Sequence, residues 1–334
     1  MQRGANVVCA RPAALPSLPP EPVLAVNAVT IIVPIFGIIL IGWAAALAGL
    51  LSERVSDGLS EYVFAIAVPA LIIGTLTRPG LEGEIAWSYW FSYFGGAAIA
   101  WAAGSLIALR RAGIGRQGAV LHGFAASQSN TIFVGVPMIL QAYGDEGAFP
   151  LFLLLAVHLP LMMGVATFLI EAESGRSLWQ RLVGLARVLF KNPIFVALLI
   201  GMAMKLLRIS PAGPAKSILD AFAATASTCA LVALGAGLRR YRVLFDLPGA
   251  LVVALLKTVL HPLAVWLLAF HVFSMPPAYA GVATLFAAMP CGINAYLLAV
   301  RYKTETGLVA ASVLVSTLIA PVTTLTWLAL LGHA

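Results

Sequence analysis

The sequence predicts an all-α integral membrane protein of ten transmembrane helices in two inverted five-helix repeats, with the fourth and ninth helices broken. Three observations carry this expectation. Of the 334 residues, 61% are hydrophobic and 10% charged, and the mean hydropathy is +0.98, far from the composition of a soluble domain. Similar segments recur at a fixed offset in the two halves. Two apolar spans are interrupted by helix-unfriendly residues at corresponding places.

Apolar stretches of the length that crosses a hydrocarbon core, roughly 20 residues, fall at 28–50, 58–77, 85–109, 117–140, 147–170, 192–208, 216–238, 247–273, 277–300 and 306–331. Residues 1–27, with Pro12, Pro16, Pro19, Pro20 and Pro22, have no apolar signal-peptide core. They read as a disordered tail or as the product of a start codon placed too far upstream. The first repeat then occupies 28–171, an Arg-rich cytoplasmic linker 172–191, and the second repeat 192–331. Thirteen of the 20 Lys and Arg residues lie in alternate connections, around Arg54, Arg110, Arg176, Arg239 and Arg301. By the positive-inside rule those connections are cytoplasmic and both termini are outside. Nucleic acid is not expected as a partner despite the net charge of +7, because these arginines read as topology signals.

The repeat is most visible in two segments. Residues 34–47, PIFGIILIGWAAAL, and residues 193–206, PIFVALLIGMAMKL, agree at eight of fourteen positions. Tyr143 and Glu146 recur at the same offset as Tyr302 and Glu305. Five helices per repeat is an odd number, so the second repeat must enter the membrane in the opposite sense. The fourth and ninth helices become antiparallel counterparts whose middles can meet near the midplane.

Those middles read Ser127-Gln128-Ser129-Asn130-Thr131-Ile132-Phe133-Val134-Gly135-Val136-Pro137 and Ala287-Ala288-Met289-Pro290-Cys291-Gly292-Ile293-Asn294. Within lipid, freed backbone groups survive only where protein or a hydrated cavity satisfies them. Paired Pro/Gly interruptions in two halves point to a transporter's binding site. Proline removes a donor and leaves carbonyls of the preceding turn unpaired, and a half-helix amino terminus suits a carboxylate. The candidate substrate-binding set is therefore Asn130, Gly135, Pro137, Pro290, Gly292 and Asn294.

Lys257 is the basic residue set well inside a span, with His261 one turn on. It either attracts an anion or takes part in ion coupling, or it is a structural lysine bonded to a carbonyl. His158, near the middle of the fifth span, is a candidate for the same coupling role, weighed against a packing role. No carboxylate falls near a span centre, which argues against a buried acidic cation site. Cys9, Cys229 and Cys291 have no metal-binding spacing. Hydrolytic and ATP-binding motifs are absent from the sequence, so neither an enzyme nor a cofactor or metal is expected.

At VPIFGIILIG, NTIFVGVPM followed by YGDEG, LLKTVLHPL, AAMPCGINAYLLA and ASVLVSTLIAP, the chain resembles the auxin efflux carrier family of bacterial and plant transporters. The resemblance covers about residues 28–331. It implies crossed broken helices four and nine, with Pro137 and Pro290 as the crossing prolines, in a fold similar to the sodium/bile-acid symporters. It also implies a bacterial inner-membrane location and a small-acid substrate such as malate or malonate. The expected function is secondary transport of a small organic anion by alternating access, directed toward efflux. Partners are then the anion, membrane lipid and a second copy of the chain in a homodimer. The alternatives are a Na⁺- or H⁺-coupled symporter and, from another class, a non-transporting receptor or assembly subunit.

Overall fold

The computed structural model describes residues 27–78, 86–111, 113–171, 192–240 and 246–332, with positions 179, 180, 183 and 190. The tail expected at 1–27 and the linker at 172–191 lie outside the described residues, apart from Asn27 and those four positions. Regular structure among the described residues is helical throughout. In chain order the helices are α1 (Ala28–Leu47), α2 (Glu53–Leu76), α3 (Trp87–Leu109), α4 (Arg116–Ser127), α5 (Thr131–Ile170) and α6 (Pro193–Leu206). They continue with α7 (Gly213–Gly237), α8 (Leu247–Val272), α9 (Pro277–Ala288), α10 (Ile293–Tyr302) and α11 (Thr306–Leu330). Seven of these, α1, α2, α3, α5, α7, α8 and α11, are long and apolar enough to cross a membrane, and α6 and α9 are shorter apolar helices. Large apolar side chains such as Ile41, Leu318 and Val322 are exposed on the outside, as expected of a surface bathed in lipid.

Side chains that satisfy orphan amides set several helix starts. Asn27 Oδ1 accepts from Val29 N, Asn192 Oδ1 from Ile194 N, and Asp246 Oδ1 from Gly249 N. The fourth and fifth sequence-based spans meet at Gly144, where a connection was expected. Its backbone is non-helical, with φ 53° and ψ −136°, so α5 is two helices joined at a kink there. Only glycine adopts that backbone without a Cβ penalty.

Three widened π turns, Val63–Ala67, Thr131–Gly135 and Leu256–Leu260, each end two residues before a proline: Pro69, Pro137 and Pro262. Proline lacks the N–H and its ring pushes against the carbonyl four residues back. Opening the preceding turn to i→i+5 bonding relieves that clash without ending the helix.

Polar contacts sort the connections into two groups. At one end Arg239 donates to Ala46 O, Arg240 to Glu53 O, Arg111 to Asp246 and Tyr302 to Glu171, while His122 pairs with Glu305. At the other, Gln141 donates to Thr30 O, Ser210 to Thr77 O and Arg78 to Asp145, and Lys205 lies over the Phe149 ring.

Helix α1 lies against α7 at small residues, the usual device for close approach in lipid. A Cβ on Gly42 would stand 2.6 Å from Val232 O, and one on Gly235 would run into Ile39 O. Gly42→Leu is therefore expected to lower the melting temperature in detergent, by the ~1–3 kcal/mol typical of overpacking or more. Gly37, with nothing within 4 Å of an added Cβ, should accept alanine without a change.

Candidate functional site

The two interruptions meet. Helix α4 stops at Ser127 and α9 at Ala288, and the residues that follow each are extended, as at Gln128 (φ −78°, ψ 112°) and Met289 (φ −60°, ψ 148°). Extended backbone inside a membrane must find partners, and here each break serves the other. Asn130 N donates to Pro290 O at 2.8 Å, and Gly292 N donates to Gln128 O at 2.9 Å. Ser129 and Cys291 form an antiparallel bridge, so the two breaks run in opposite directions. A third element closes the set, with Cys291 N donating to Ser316 Oγ of α11 at 2.9 Å.

Of the predicted residues, Asn130, Pro290 and Gly292 take part in this crossing directly. Gly135 faces it, since a Cβ there would lie 3.5 Å from Met289 Cγ. Pro137 does not touch it through any backbone bond. It sits buried within α5, just beyond the π turn that its missing N–H demands. Asn294 is half-buried in α10 and lines a cavity of about 200 Å³ together with Ser56, Asp57, Phe133 and Arg240. Asn130 is not part of that lining, so the two asparagines occupy different surroundings.

The crossing is polar on one side only. Gln128, Ser129 and Asn130 are 0, 1 and 3% exposed, against Met289, Pro290 and Cys291 in the second break. Both amide atoms of Gln128 and Asn130 Nδ2 have no hydrogen-bond partner, while Ser129 Oγ faces the Tyr93 hydroxyl. Enclosed polar atoms without partners are costly and exceptional. A bound ligand or water would remove that cost.

His158, Lys257 and His261 are fully buried. The Tyr93 hydroxyl pairs with His158 Nδ1 at 3.0 Å, while His158 Nε2 and both ring nitrogens of His261 are unpartnered. Lys257 Nζ donates to Ala287 O, in the last turn of α9, at 2.5 Å. Lys257 is thus carbonyl-bonded, and it stands beside the second break rather than in open cavity. Among the described residues no three His, Cys, Asp or Glu side chains gather in a way that could hold a metal ion.

Outside the membrane-spanning segments, Arg111 makes a two-pronged bond to Asp246, with Nη1 to Oδ2 at 2.6 Å and Nη2 to Oδ1 at 2.8 Å. The Arg111 side-chain bonds hold the Asp246 carboxyl below its usual range, with the Gly249 amide adding to this against a smaller opposing effect of burial. A depressed carboxylate stabilises the fold above its unfolded pKa of about 3.9 and loses that contribution as pH falls through the folded value. The side chains are 38 and 34% exposed, so solvent screening limits the effect to about 1 kcal/mol or less. Asp246→Asn, which keeps the helix cap, should lower the melting temperature slightly at pH 7, and that difference from wild type should shrink below about pH 4.

Fold and site together define a multi-pass membrane protein with an enclosed polar crossing at its centre. The chain belongs to the membrane transport protein family, which it matches over residues 27–328. Among similar proteins, one from Rhizobium meliloti named "Putative malonate transporter" is 26% identical over 300 residues, spanning 88% of this chain and 92% of the relative. Another, named "Uncharacterized transporter", from Methanothermobacter thermautotrophicus, is 24% identical over 301 residues, or 87% and 94% of the two chains.

Proposed function

We propose that this protein is a secondary carrier that moves a small organic anion, a mono- or dicarboxylate, across the cytoplasmic membrane by alternating access, in the direction of efflux. The observation that carries the reading is the antiparallel crossing with the unpartnered amide of Gln128 and Nδ2 of Asn130. It offers several hydrogen-bond donors and no buried carboxylate to repel an anion. The similarity to a protein named for malonate agrees with an acid of that size.

The architecture that fits this reading has ten passes in two inverted repeats. Connections near residues 52, 110, 171, 240 and 303 hold one another at one end, and those near 30, 77, 145 and 208 at the other. In this arrangement the chain changes sides at each span, counting α4 with the part of α5 before Gly144, and α9 with α10, as one broken helix each, and the kink at Gly144 as a connection. Helix α1 packs on α7, and α6 packs reciprocally on α2, the pairing that an inverted two-fold produces. Both termini would lie outside, with the basic connections in the cytoplasm.

A 100 mV inside-negative potential supplies about 2.3 kcal/mol per exported negative charge, a gradient of roughly fortyfold. Efflux of an anion therefore has a driving force without ATP. Purified protein in proteoliposomes should carry labelled malonate or a related acid in a saturable, potential-sensitive way. Absence of flux across a panel of mono- and dicarboxylates would overturn the proposal.

A further inference from the structure

Behind the crossing lies a group of basic side chains that anion binding alone does not explain. Lys257 and His261 of α8, His158 of α5 and Tyr93 of α3 are each 0% exposed. The Tyr93 ring stands 5.5 Å from both imidazole rings, centre to centre, and the Phe286 ring of α9 closes over Tyr93 and His158 at 5.3 Å. Lys257 and His261 stand one turn apart on α8.

Among the described residues the surrounding elements bring no carboxylate to this group; those of α5, Asp145 and Glu146, flank the kink at Gly144. Helix α3 contributes Tyr89 and Tyr93, α9 contributes Tyr279, and the second break contributes Cys291. Helix α11 has no Asp, Glu, Lys, Arg or His between its ends. Helix α4 carries Arg116 and His122 toward its start, where His122 is paired with Glu305 at 3.0 Å. With three bases enclosed together, a proton on one disfavours a proton on either of the others. Three ring nitrogens, His158 Nε2 and both of His261, are without a partner.

This group is tied to the crossing. Lys257 holds the carbonyl of Ala287, two residues before Met289 opens the break. An anion arriving at the crossing favours the charged form of the group, and by linkage a protonated group favours the anion. We infer that Lys257, His261 and His158 form a proton site that fills and empties together with the anion site. One proton is taken from water onto a nitrogen lone pair as the carboxylate enters, and the same proton returns to water when the carboxylate leaves. The inference rests on the carrier reading and adds a co-substrate to it for a dicarboxylate such as malonate, which then leaves with one net negative charge that the membrane potential still drives outward.

Two measurements with malonate as the probe test it. In weakly buffered detergent solution with a pH indicator, wild-type protein should take up about one proton per molecule when malonate is added, and Lys257→Met should take up none. In proteoliposomes an imposed pH gradient should change wild-type malonate flux several-fold at constant membrane potential, and the change should vanish in Lys257→Met. If Lys257→Met fails to fold, His261→Gln serves instead, with proton uptake expected to fall below half. Malonate binding or flux in wild type with no proton uptake and no response to the pH gradient overturns the proton site and leaves the carrier intact. A pH response that persists unchanged in the folded variants also overturns it. Absence of binding and flux with every acid tested removes the carrier reading and the proton site with it.

Discussion

Asn130→Ala is expected to weaken malonate binding and flux by about 10- to 100-fold while leaving the melting temperature unchanged or slightly raised. The two readouts part because the side chain and the backbone of Asn130 do different things. Its backbone N–H bonds Pro290 O, which alanine preserves. Its side-chain Nδ2 is buried without a protein partner, so removing it relieves a desolvation cost rather than breaking a contact. A hydrogen bond to a charged ligand contributes about 1.5–3 kcal/mol, and each 1.4 kcal/mol is tenfold in affinity. Saturation curves in proteoliposomes alongside thermal melts in detergent would measure both quantities. Undiminished flux would take the anion away from the crossing, and a large drop in melting temperature would make Asn130 a structural residue.

Gly292→Val should have the opposite signature, with stability and transport lost together. A Cβ at this position would stand 2.8 Å from Ser129 O and 3.1 Å from Ser129 C. Those are backbone atoms held by the reciprocal bonds of the crossing, so they cannot step aside as a flexible side chain would. Overpacking typically costs ~1–3 kcal/mol, and forcing the breaks apart also strands buried donors and acceptors at about 1–3 kcal/mol each. The expected result is a poor yield of folded protein, with no carrier activity in what remains. Gly37→Ala, made in parallel, separates this from a general intolerance of side chains at glycine positions. Normal melting and flux in Gly292→Val would show that the close approach at Ser129 is dispensable.

Membrane character and most helix positions were legible in the sequence because lipid imposes one pattern, a long apolar stretch, on every spanning helix. The interruptions at Asn130 and Pro290 were legible for the complementary reason that lipid tolerates them so rarely. Their partnership could be expected from the repeat, but the atoms that join them could not. The expectation named Asn130, Pro290 and Gly292, which the backbone bonds use, and Pro137, which they do not; Gln128, which accepts from Gly292, was outside the expected set. Three consecutive polar residues, Gln128-Ser129-Asn130, were the stronger signal at that site. Gly144 was legible as a break because glycine is the residue that accepts the positive φ found there. The pairing of Tyr93 with His158 joins helices distant in the chain, and periodicity carries no trace of it. Arg240 counted only as a topology signal, although it also lines a cavity with Asn294.

The clasp between the breaks has a consequence for biosynthesis. Gln128 and Asn130 emerge from the ribosome long before Pro290 and Gly292, and Cys291 N waits further for Ser316 on the last helix. Until then the first break holds extended backbone with no lasting partner, and contacts so distant in sequence form late. The amino-terminal half must remain near water or a membrane chaperone during that interval. A chain stopped before α11 would leave the clasp unfinished, which makes completion of the last helix a checkpoint for assembly of the site.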